Sequence, residues 1–388
     1  MNLKSLAKDG ITYGFANALS RLGAIIAIPF YTRLLSVEDF GIYDLYITVY
    51  ILLKLLADSQ FISGIMRYYY EAEGKQRLNR LIGSSITYYF MTVSGIILLA
   101  LGLHFTHTLS HLLLDLKYLL PLLIGLLPAL FVQLFMVIAR MRRKPVQYMF
   151  LVLFYLLTQA SLGISSLYVL KIGVQGVLWA IALCDVIFGT FSLILILRTT
   201  GIRISFSYMK ELIHYSLPIL PVTGSSWLRN YASRFFIIAQ LSVASLGIFG
   251  VLTKTNMAIF VFIMAFRQSW EPYAIELFSQ KDSESWFPKA FRIYSFTLGL
   301  VFAGLVILTP ALMALLSPPK YWGFTYILPI LMLTRYIEGS SSVLTMGNAW
   351  AKKTYANLPG SFIGVGVLLG MLYFGTGKFG LIWVAIWK

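Results

Sequence analysis

Ten charged side chains lie within otherwise apolar stretches of the sequence, where an isolated charge is costly. Six are cations and four are acids: Arg21, Lys54, Arg229, Arg234, Lys254, Arg335, Asp44, Asp58, Asp185 and Glu338. At the centre of a bilayer each one costs at least about 2.5 kcal/mol unless it faces a cavity or a partner. A set of this size indicates a polar interior with a function.

Local pairing is one explanation for four of these charges. Lys54 and Asp58 are four residues apart, and Arg335 and Glu338 are three apart. At these spacings two side chains share one face of a helix and can form an ion pair. The alternative is that these side chains also face a cavity, and the spacing alone leaves both open.

Arg21, Arg229 and Lys254 are harder to explain by local pairing. Arg21 and Lys254 lie about 14–15 Å from the starts of their predicted helices, near the middle of a membrane. Arg234 lies nearer the end of its helix, so its long side chain either reaches the membrane surface or faces the cavity. When the two possible local pairs are set aside, these four cations outnumber the two acids that remain, Asp44 and Asp185. This excess predicts a positively charged cavity for an anionic group such as phosphate or pyrophosphate.

The four acids have a second possible role. Asp44, Asp58, Asp185 and Glu338 are candidates for coupling transport to protons or sodium ions. Each of them can instead neutralise a neighbouring cation. The sequence leaves these two roles open.

Composition defines the elements that carry these charges. Of 388 residues, 59% are hydrophobic and 12% charged, and the mean hydropathy is +0.79; soluble domains carry about 25% charged residues. With about 20 apolar residues per span, we expect an all-α polytopic membrane protein with twelve transmembrane helices. They are predicted at 11–32, 41–65, 81–103, 118–139, 146–170, 173–197, 214–239, 245–266, 293–316, 323–347, 355–375 and from 380 onward.

The net charge of +16 fits the loops of such a protein better than a nucleic-acid partner. With the N-terminus placed in the cytoplasm, 19 loop lysines and arginines fall on the cytoplasmic side and 5 on the other. Because cytoplasmic loops collect Lys and Arg, this count predicts that orientation. The sequence has no P-loop, nucleophile elbow or zinc motif. We therefore expect that the protein is not an enzyme and binds no cofactor or metal.

An internal repeat divides the chain into two halves. LSVEDFGIY (35–43) recurs as LSVASLGIF (241–249), and GVQGVLWA (173–180) recurs as GKFGLIWV (377–384). Offsets of 206 and 204 residues indicate a duplicated six-helix unit with parallel topology, an arrangement found in transporters. We therefore expect six-helix lobes at 1–200 and 201–388. The same offset predicts that the twelfth helix is incomplete within this sequence.

The opening segment KSLAKDGITYGFANALSRLGAIIAIPFYTRLLSVEDFGIYDLY resembles the first two helices of Wzx-type polysaccharide flippases. These belong to the multidrug/oligosaccharidyl-lipid/polysaccharide (MOP) exporter superfamily. The most specific features are an arginine in helix one and the P-x-x-TRLLS-x-x-x-FG-x-Y segment at 29–43. Beyond helix two the resemblance lies in span count and duplicated halves.

The resemblance implies two lobes around a central cavity in the bacterial inner membrane. It also implies movement of undecaprenyl-pyrophosphate-linked oligosaccharides to the periplasmic leaflet by alternating access, with a polysaccharide polymerase of the same pathway as a further partner. Arg21 matches the first-helix arginine that would hold the pyrophosphate. Arg229 and Lys254 are assigned by depth, and Arg234 and Arg335 are further candidates.

Two other classes of protein remain as alternatives. A multidrug or cation exporter of the same superfamily would share the fold, but it would need a cavity dominated by carboxylates. A polysaccharide polymerase or glycosyltransferase would be expected to carry a long outer loop with catalytic residues, and the longest predicted outer loop here is about 104–117. The excess of cations favours the flippase.

Overall fold

The computed structural model describes residues 27–70, 75–111, 114–200, 203–277, 283–350 and 357–388. This part of the chain contains α-helices and two 3₁₀ segments but no strands. In the first half of the chain the helices are α1 (27–34), α2 (Val37–Asp58), α3 (Phe61–Tyr68), α4 (Lys75–Phe105), α5 (Thr108–His111), α6 (Leu116–Met141), α7 (Pro145–Tyr168) and α8 (Val174–Thr199).

The second half is more interrupted. Its helices are α9 (Phe206–Ser216), α10 (Leu220–Tyr231), α11 (Ser233–Gln240), α12 (Val243–Thr255), α13 (Met257–Leu277), α14 (Ser283–Ile307), α15 (Thr309–Leu316), α16 (Leu328–Trp350) and α17 (Asn357–Trp387). The 3₁₀ segments are Leu217–Ile219 and Pro319–Ile327.

Eight helical stretches in the described part of the chain are long and apolar enough to cross a membrane. They are Val37–Asp58, Gln76–Phe105, Leu116–Met141, Pro145–Tyr168, Val174–Thr199, Val243–Met264, Pro288–Ile307 and Pro359–Trp387. The all-α, multi-pass fold class is therefore confirmed. The count of twelve helices stays a prediction, because helix 11–32 lies largely outside the described residues and other predicted spans are interrupted.

By compactness the described residues form two units. Unit 1 is Leu45–Gly224, and unit 2 is Ser225–Lys388 together with the described part of Ile25–Asp44. The division falls within α2, between Asp44 and Leu45. The lobes predicted from the repeat, at 1–200 and 201–388, stay a prediction.

Unit 1 is organised around α6. Leu122, Leu126, Leu130 and Leu134 recur every fourth residue and are fully buried, because this spacing places them on one face of the helix. A β-carbon added to Gly189 of α8 would lie only 2.4 Å from the carbonyl oxygen of Pro128 in α6. Small residues allow this close approach of membrane helices, where packing stabilises the pair.

The predicted span 214–239 is not one helix. It is divided among the end of α9, the 3₁₀ segment Leu217–Ile219, α10 and α11. Pro218 and Pro221 account for the first interruption, since proline lacks the N–H that an α-helix needs and clashes with the preceding turn. The second interruption, between α10 and α11, lies at Ala232.

The TRLLS motif at 32–36 has a structural role in unit 2. The hydroxyl of Thr32 donates to the carbonyl oxygen of Leu316 at 2.8 Å. The Arg33 guanidinium lies 3.3 Å from the carbonyl oxygen of Leu315. Both side chains thus satisfy backbone carbonyls at the end of α15, which have no partner within that helix. A cation there also interacts favourably with the helix dipole.

The same motif begins α2. Ser36 accepts a hydrogen bond from the backbone N–H of Asp39 at 2.9 Å, as N-terminal capping residues do. From the second 3₁₀ segment, the Lys320 ammonium donates to the carbonyl oxygen of Leu35. Burial lowers the pKa of Lys320, while Glu38 and Asp39 act in the opposite direction. The motif thus caps two helices in unit 2.

The first repeated segment forms a contact with its own duplicate. A β-carbon added to Gly41 of α2 would lie 3.0 Å from the backbone nitrogen of Gly247 in α12. One added to Gly247 would lie 3.1 Å from the backbone nitrogen of Gly41. Because the contact is reciprocal, the two segments are related by a local two-fold axis. The predicted offset of 206 residues matches this pair.

The alignment of the second repeated segment with its duplicate has to be shifted along the chain to agree with the backbone. Gly173, which precedes α8, has φ 70° and ψ −151°, and Gly380, at a break in α17, has φ 67° and ψ −151°. Glycine is the residue that adopts this backbone conformation readily. The structural counterpart of Gly173 is therefore Gly380, and the sequence match at 377–384 is three residues out of register. The break at Gly380 agrees with the predicted start of the last helix.

Candidate functional site

Two cations from different helices meet at one buried carboxylate in unit 2. The Nε of Arg234 donates to Oδ2 of Asp44 at 2.7 Å, and the Lys254 ammonium forms an ion pair with Oδ1. The exposed fractions of the three side chains are 7% for Arg234, 3% for Asp44 and 19% for Lys254. We call these three residues the Asp44 cluster. Its formal charge is +1.

Three helix segments position this cluster. Asp44 lies in α2, Arg234 is the second residue of α11, and Lys254 lies in the last turn of α12. Lys254 is eleven positions into the 22-residue span Val243–Met264, near its middle. One turn earlier, a β-carbon at Gly250 would lie 3.1 Å from Cγ of Asp44. The absence of a side chain at Gly250 therefore leaves room for the carboxylate beside α12.

Aromatic rings surround the two cations. The Lys254 ammonium lies 5.0 Å from the ring centre of Phe40 and 5.4 Å from that of Tyr43. The Arg234 guanidinium lies 4.9 Å from the ring centre of Tyr231. Ring faces attract cations at these distances. The rings therefore stabilise positive charge without neutralising it.

Further cations extend the cluster through an amide. Arg234 donates to the backbone oxygen of Asn230 at 2.9 Å, and Arg335 donates to the Asn230 side-chain oxygen at 3.2 Å. Arg335 also forms an ion pair with Glu338 on its own helix. Arg229 donates to Oγ of Ser226 at 2.9 Å. Asn230 thus links Arg234 and Arg335 in one polar network.

Most of the cations predicted to line a cavity lie in this network. Lys254 and Arg234 meet at Asp44, and Arg335 joins them through Asn230. Arg229 is adjacent in sequence but makes contacts of its own, including one of 3.5 Å to the backbone oxygen of Ser361. Arg21 lies outside the described residues.

Two of the local explanations are now decided. The idea that Arg234 reaches the membrane surface is wrong, because the residue is 6% exposed and bonded to Asp44. The pair of Arg335 and Glu338 forms as its spacing allowed. Glu338 remains largely exposed, at 61%.

The acids of unit 1 are held by tyrosines. Asp185 accepts hydrogen bonds at 2.7 Å from the hydroxyls of both Tyr50 and Tyr155, one at each carboxylate oxygen. The Lys54 ammonium lies 4.4 Å from the ring centre of Tyr50 and interacts electrostatically with Asp185. Buried charges need such partners. Asp185 is therefore a buried carboxylate with one tyrosine hydrogen bond at each oxygen.

Asp58 does not form the local pair with Lys54 that their spacing allows. It accepts a hydrogen bond from the hydroxyl of Tyr89 at 2.8 Å instead, and Lys54 faces Asp185 and Tyr50. A spacing of four residues permits an ion pair but cannot exclude a nearer partner on another helix. Single tyrosines in apolar stretches carry no pattern that marks them as hydrogen-bond donors, so sequence reasoning missed all three.

The described residues contain no group of three or more His, Cys, Asp or Glu side chains that could hold a metal ion. The chemistry available at the Asp44 cluster is therefore that of cations, an amide and aromatic rings. Such a set can bind and orient an anion.

The fold of the chain is similar to the folds of two solved membrane transport proteins. It is similar to a solved structure of the lipid II flippase MurJ, with a TM-score of 0.76 and 14% identity over 97% of this chain and 84% of that one. It is also similar to a multidrug resistance MATE family transporter of the MOP superfamily, with a TM-score of 0.75 and 17% identity over 95% and 93%. The fold that the resemblance of the opening segment implied is therefore confirmed.

The family follows from the sequence itself. Residues 6–278 match the family described as polysaccharide biosynthesis protein, and the chain belongs to that family. Two relatives from Haemophilus influenzae are similar. Lsg locus putative protein 1 is 24% identical over 71% of this chain and 67% of its own length. An uncharacterized membrane protein is 25% identical over 73% and 69%.

Proposed function

We propose that the protein is a flippase for an undecaprenyl-pyrophosphate-linked oligosaccharide, either an O-antigen or a capsular repeat unit. It carries this lipid from the cytoplasmic to the periplasmic leaflet of the bacterial inner membrane, with its own N-terminus in the cytoplasm. The polysaccharide biosynthesis family and the fold shared with a lipid II flippase support the proposal. The buried positive network around Asp44 is the single observation that carries it.

The charge of this network matches a pyrophosphate. The Asp44 cluster, Arg335 and Glu338 together have a formal charge of +1, and the neighbouring Arg229 raises the local charge to +2. Guanidinium groups bind phosphate oxygens through paired N–H donors, and an ammonium adds a compact charge. A pyrophosphate that joins a lipid to a sugar is esterified at both ends and carries two negative charges, so it would balance these groups. A cationic drug would meet repulsion there.

Asp44 has a defined part in this proposal. Before substrate arrives, its carboxylate offsets the repulsion between Arg234 and Lys254 and holds both in place. A pyrophosphate then competes with Asp44 for the same two cations, with more charge and more acceptor oxygens. Binding is therefore an exchange of one anion for another, and no cation is left buried without a partner in either state.

Transport then follows by alternating access. The lobes predicted at 1–200 and 201–388 rock against each other and expose the site first to the cytoplasm and then to the periplasm. The prenyl tail stays in the lipid, and the glycan occupies the aqueous cavity. Asp185, Asp58, Asp44 and Glu338 are the candidates for coupling to an ion gradient. Asp185 is the foremost of them, because it is buried and held by two hydroxyl donors.

The test replaces the cations of the Asp44 cluster in a strain that lacks its own exporter. We expect Lys254→Ala and Arg234→Ala to reduce surface polysaccharide by about tenfold or more, because each removes a charge-assisted contact to phosphate. Arg234→Lys should restore display only in part, since an ammonium cannot make paired N–H contacts. Membrane levels of every variant are measured by immunoblot, so that lost display is not confused with lost protein.

A control variant and a test for the alternative function, multidrug export, use the same strains. Arg142→Ala removes a cation from the loop after α6 and should leave display near the wild-type level. Sensitivity to cationic dyes is recorded in parallel. Lost dye resistance with intact display would establish a multidrug exporter instead. Normal display by both alanine variants would show that the network does not bind the substrate.

A further inference from the structure

The start of α4 and the segment after α8 lie close together in unit 1, and both carry exposed basic residues. Span Gln76–Phe105 begins one residue before Arg77, and span Val174–Thr199 ends four residues before Arg203. The two are joined, because the hydroxyl of Ser84 donates to the backbone oxygen of Ser205 at 2.9 Å. The backbone N–H of Ser205 donates back to Ser84 at 3.2 Å.

The contact brings the chain after α8 directly onto α4. A β-carbon added to Gly83 would lie 2.6 Å from the carbonyl oxygen of Arg203. Arg80 lies three residues before Gly83, and Arg77 lies three residues before Arg80, so the three positions are about one helical turn apart. Arg77, Arg80 and Arg203 are all exposed. All three side chains therefore lie near the ends of the two spans, where a lipid headgroup could reach them.

Helix α9 adds a further basic residue and is fixed in place. Its buried residues Leu212 and Ser216 lie against Gly64 of α3. The ring of Tyr215 meets that of Tyr68, edge to face, with 5.7 Å between their centres. The opposite face of α9 is therefore held outward by packing.

That outward face borders a cavity of about 730 Å³. Lys210 and His214 line it, together with Glu211, Ser207, Leu217 and Pro218. Glu211 is an acid on the same helix, so the cavity by itself is not strongly cationic. The positive charge comes from Lys210 combined with the three arginines at the span ends.

Exposed apolar side chains lie within the same segment. The exposed fractions are 58% for Ile204, 70% for Phe206 and 50% for Leu217. Large apolar side chains beside lysines and arginines are typical of segments that lie in the membrane interface. Basic residues at the cytoplasmic surface attract anionic phospholipids, at about 1 kcal/mol per charge. Both kinds of side chain are present here, and the orientation predicted from the loop charges places them on the cytoplasmic side.

We propose that Arg77, Arg80, Arg203 and Lys210 form a binding surface for the headgroup of an anionic phospholipid, with Ile204 and Phe206 inserted among the acyl chains. This surface lies in unit 1 and is separate from the Asp44 cluster of unit 2. Its occupant is a lipid of the surrounding bilayer and not the transported substrate. It couples the stability of unit 1 to the lipid composition of the membrane.

The experiment compares thermal unfolding of the full chain in nanodiscs of phosphatidylcholine, with and without phosphatidylglycerol. We expect phosphatidylglycerol to raise the unfolding midpoint of the wild type. A quadruple variant, Arg77→Gln, Arg80→Gln, Arg203→Gln and Lys210→Gln, should lose most of that increase. Each removed charge should weaken phosphatidylglycerol binding about fivefold.

A matched control separates a built surface from general surface charge. Arg143→Gln with Lys144→Gln neutralises two exposed cations between α6 and α7 and should keep the increase. If the control loses it as fully as the quadruple variant, or if the quadruple variant keeps it, the proposal is wrong. If the quadruple variant does not fold, the doubles Arg77→Gln/Arg80→Gln and Arg203→Gln/Lys210→Gln are used. Each double variant should lose about half of the increase in midpoint that phosphatidylglycerol causes. If both double variants keep the full increase, the proposal is wrong.

Discussion

Gly41 and Gly247 occupy the same position in the two copies of one repeated segment, and each lies against the backbone of the other. The approach is so close that a β-carbon on either glycine would lie about 3 Å from the other's backbone nitrogen. Contacts of this kind depend on the absence of side chains, because backbone atoms cannot move aside as a flexible side chain can. The start of α2 and the start of α12 are therefore held together by two glycines.

This contact predicts a strong effect of added volume. Gly41→Val or Gly247→Val should lower the free energy of unfolding by about 1–3 kcal/mol, the range for overpacking a close contact. Chemical denaturation of the purified protein in detergent measures the change. Gly95→Val and Gly102→Val in α4 are matched controls, since a β-carbon at either position has no neighbour within 4 Å. Equal losses in all four variants would mean that valine itself, and not the contact, is responsible.

The Asp44 cluster predicts a separation between stability and transport. Asp44→Asn leaves two buried cations without their carboxylate and should cost about 3–5 kcal/mol of stability. Adding Lys254→Met should recover part of this loss, because one of the unpaired charges is then gone. Transport should not recover, since a cation for the pyrophosphate is also gone. Denaturation and polysaccharide display are measured on the same three proteins, and recovery of both would assign the cluster to folding alone.

The tyrosines around Asp185 predict a further pair of effects. Tyr50→Phe and Tyr155→Phe each remove a hydrogen bond to a buried carboxylate, at a cost of about 1.5–3 kcal/mol. If Asp185 couples transport to an ion gradient, Asp185→Asn should also abolish the response of transport to an imposed proton or sodium gradient in vesicles. Glu211→Gln is the control, because Glu211 is an exposed acid of α9 outside the coupling candidates and should leave that response in place. A full response in the Asp185→Asn protein would remove this residue from the coupling step.

The capping role of the TRLLS motif predicts a purely structural effect. Thr32→Val removes the 2.8 Å bond to Leu316 and should cost about 1 kcal/mol. Polysaccharide display per molecule in the membrane should be unchanged, because Thr32 does not belong to the Asp44 cluster. Display is compared with the protein level on immunoblots. A fall in display at equal protein level would assign Thr32 a role in transport.

Sequence reasoning reached the class of fold because apolar length and loop charge are properties of the sequence itself. It placed Lys254 near the middle of a span for the same reason, since depth follows from counting residues. It could not pair Lys254 with Asp44, which is 210 residues away. It also missed the breaks beside Ala232 and Asn256, where no proline marks the interruption.

The repeat shows a second limit. Side-chain identity located the pair of Gly41 and Gly247 correctly, because four of the letters around them are unchanged. It placed the counterpart of Gly173 at residue 377, whereas the matching backbone conformation is at Gly380. Short matches of apolar letters tolerate a shift of three residues, roughly one helical turn, at little loss of similarity. Backbone dihedral angles do not tolerate such a shift, because only one residue in the segment has the matching conformation.

Asp44 and Gly250 are also equivalent positions, 206 residues apart, and there the two copies differ completely. The carboxylate of one copy lies 3.1 Å from where the other copy would carry its β-carbon. In a homodimer of identical halves, an aspartate at this position would face a second aspartate across the axis, and a glycine would face a glycine. Only fusion of the two copies into one chain allows an aspartate on one side of the axis and a glycine, with no side chain, on the other. The Asp44 cluster thus depends on a difference between the two copies, which a duplicated gene can acquire and a symmetric pair of identical chains cannot.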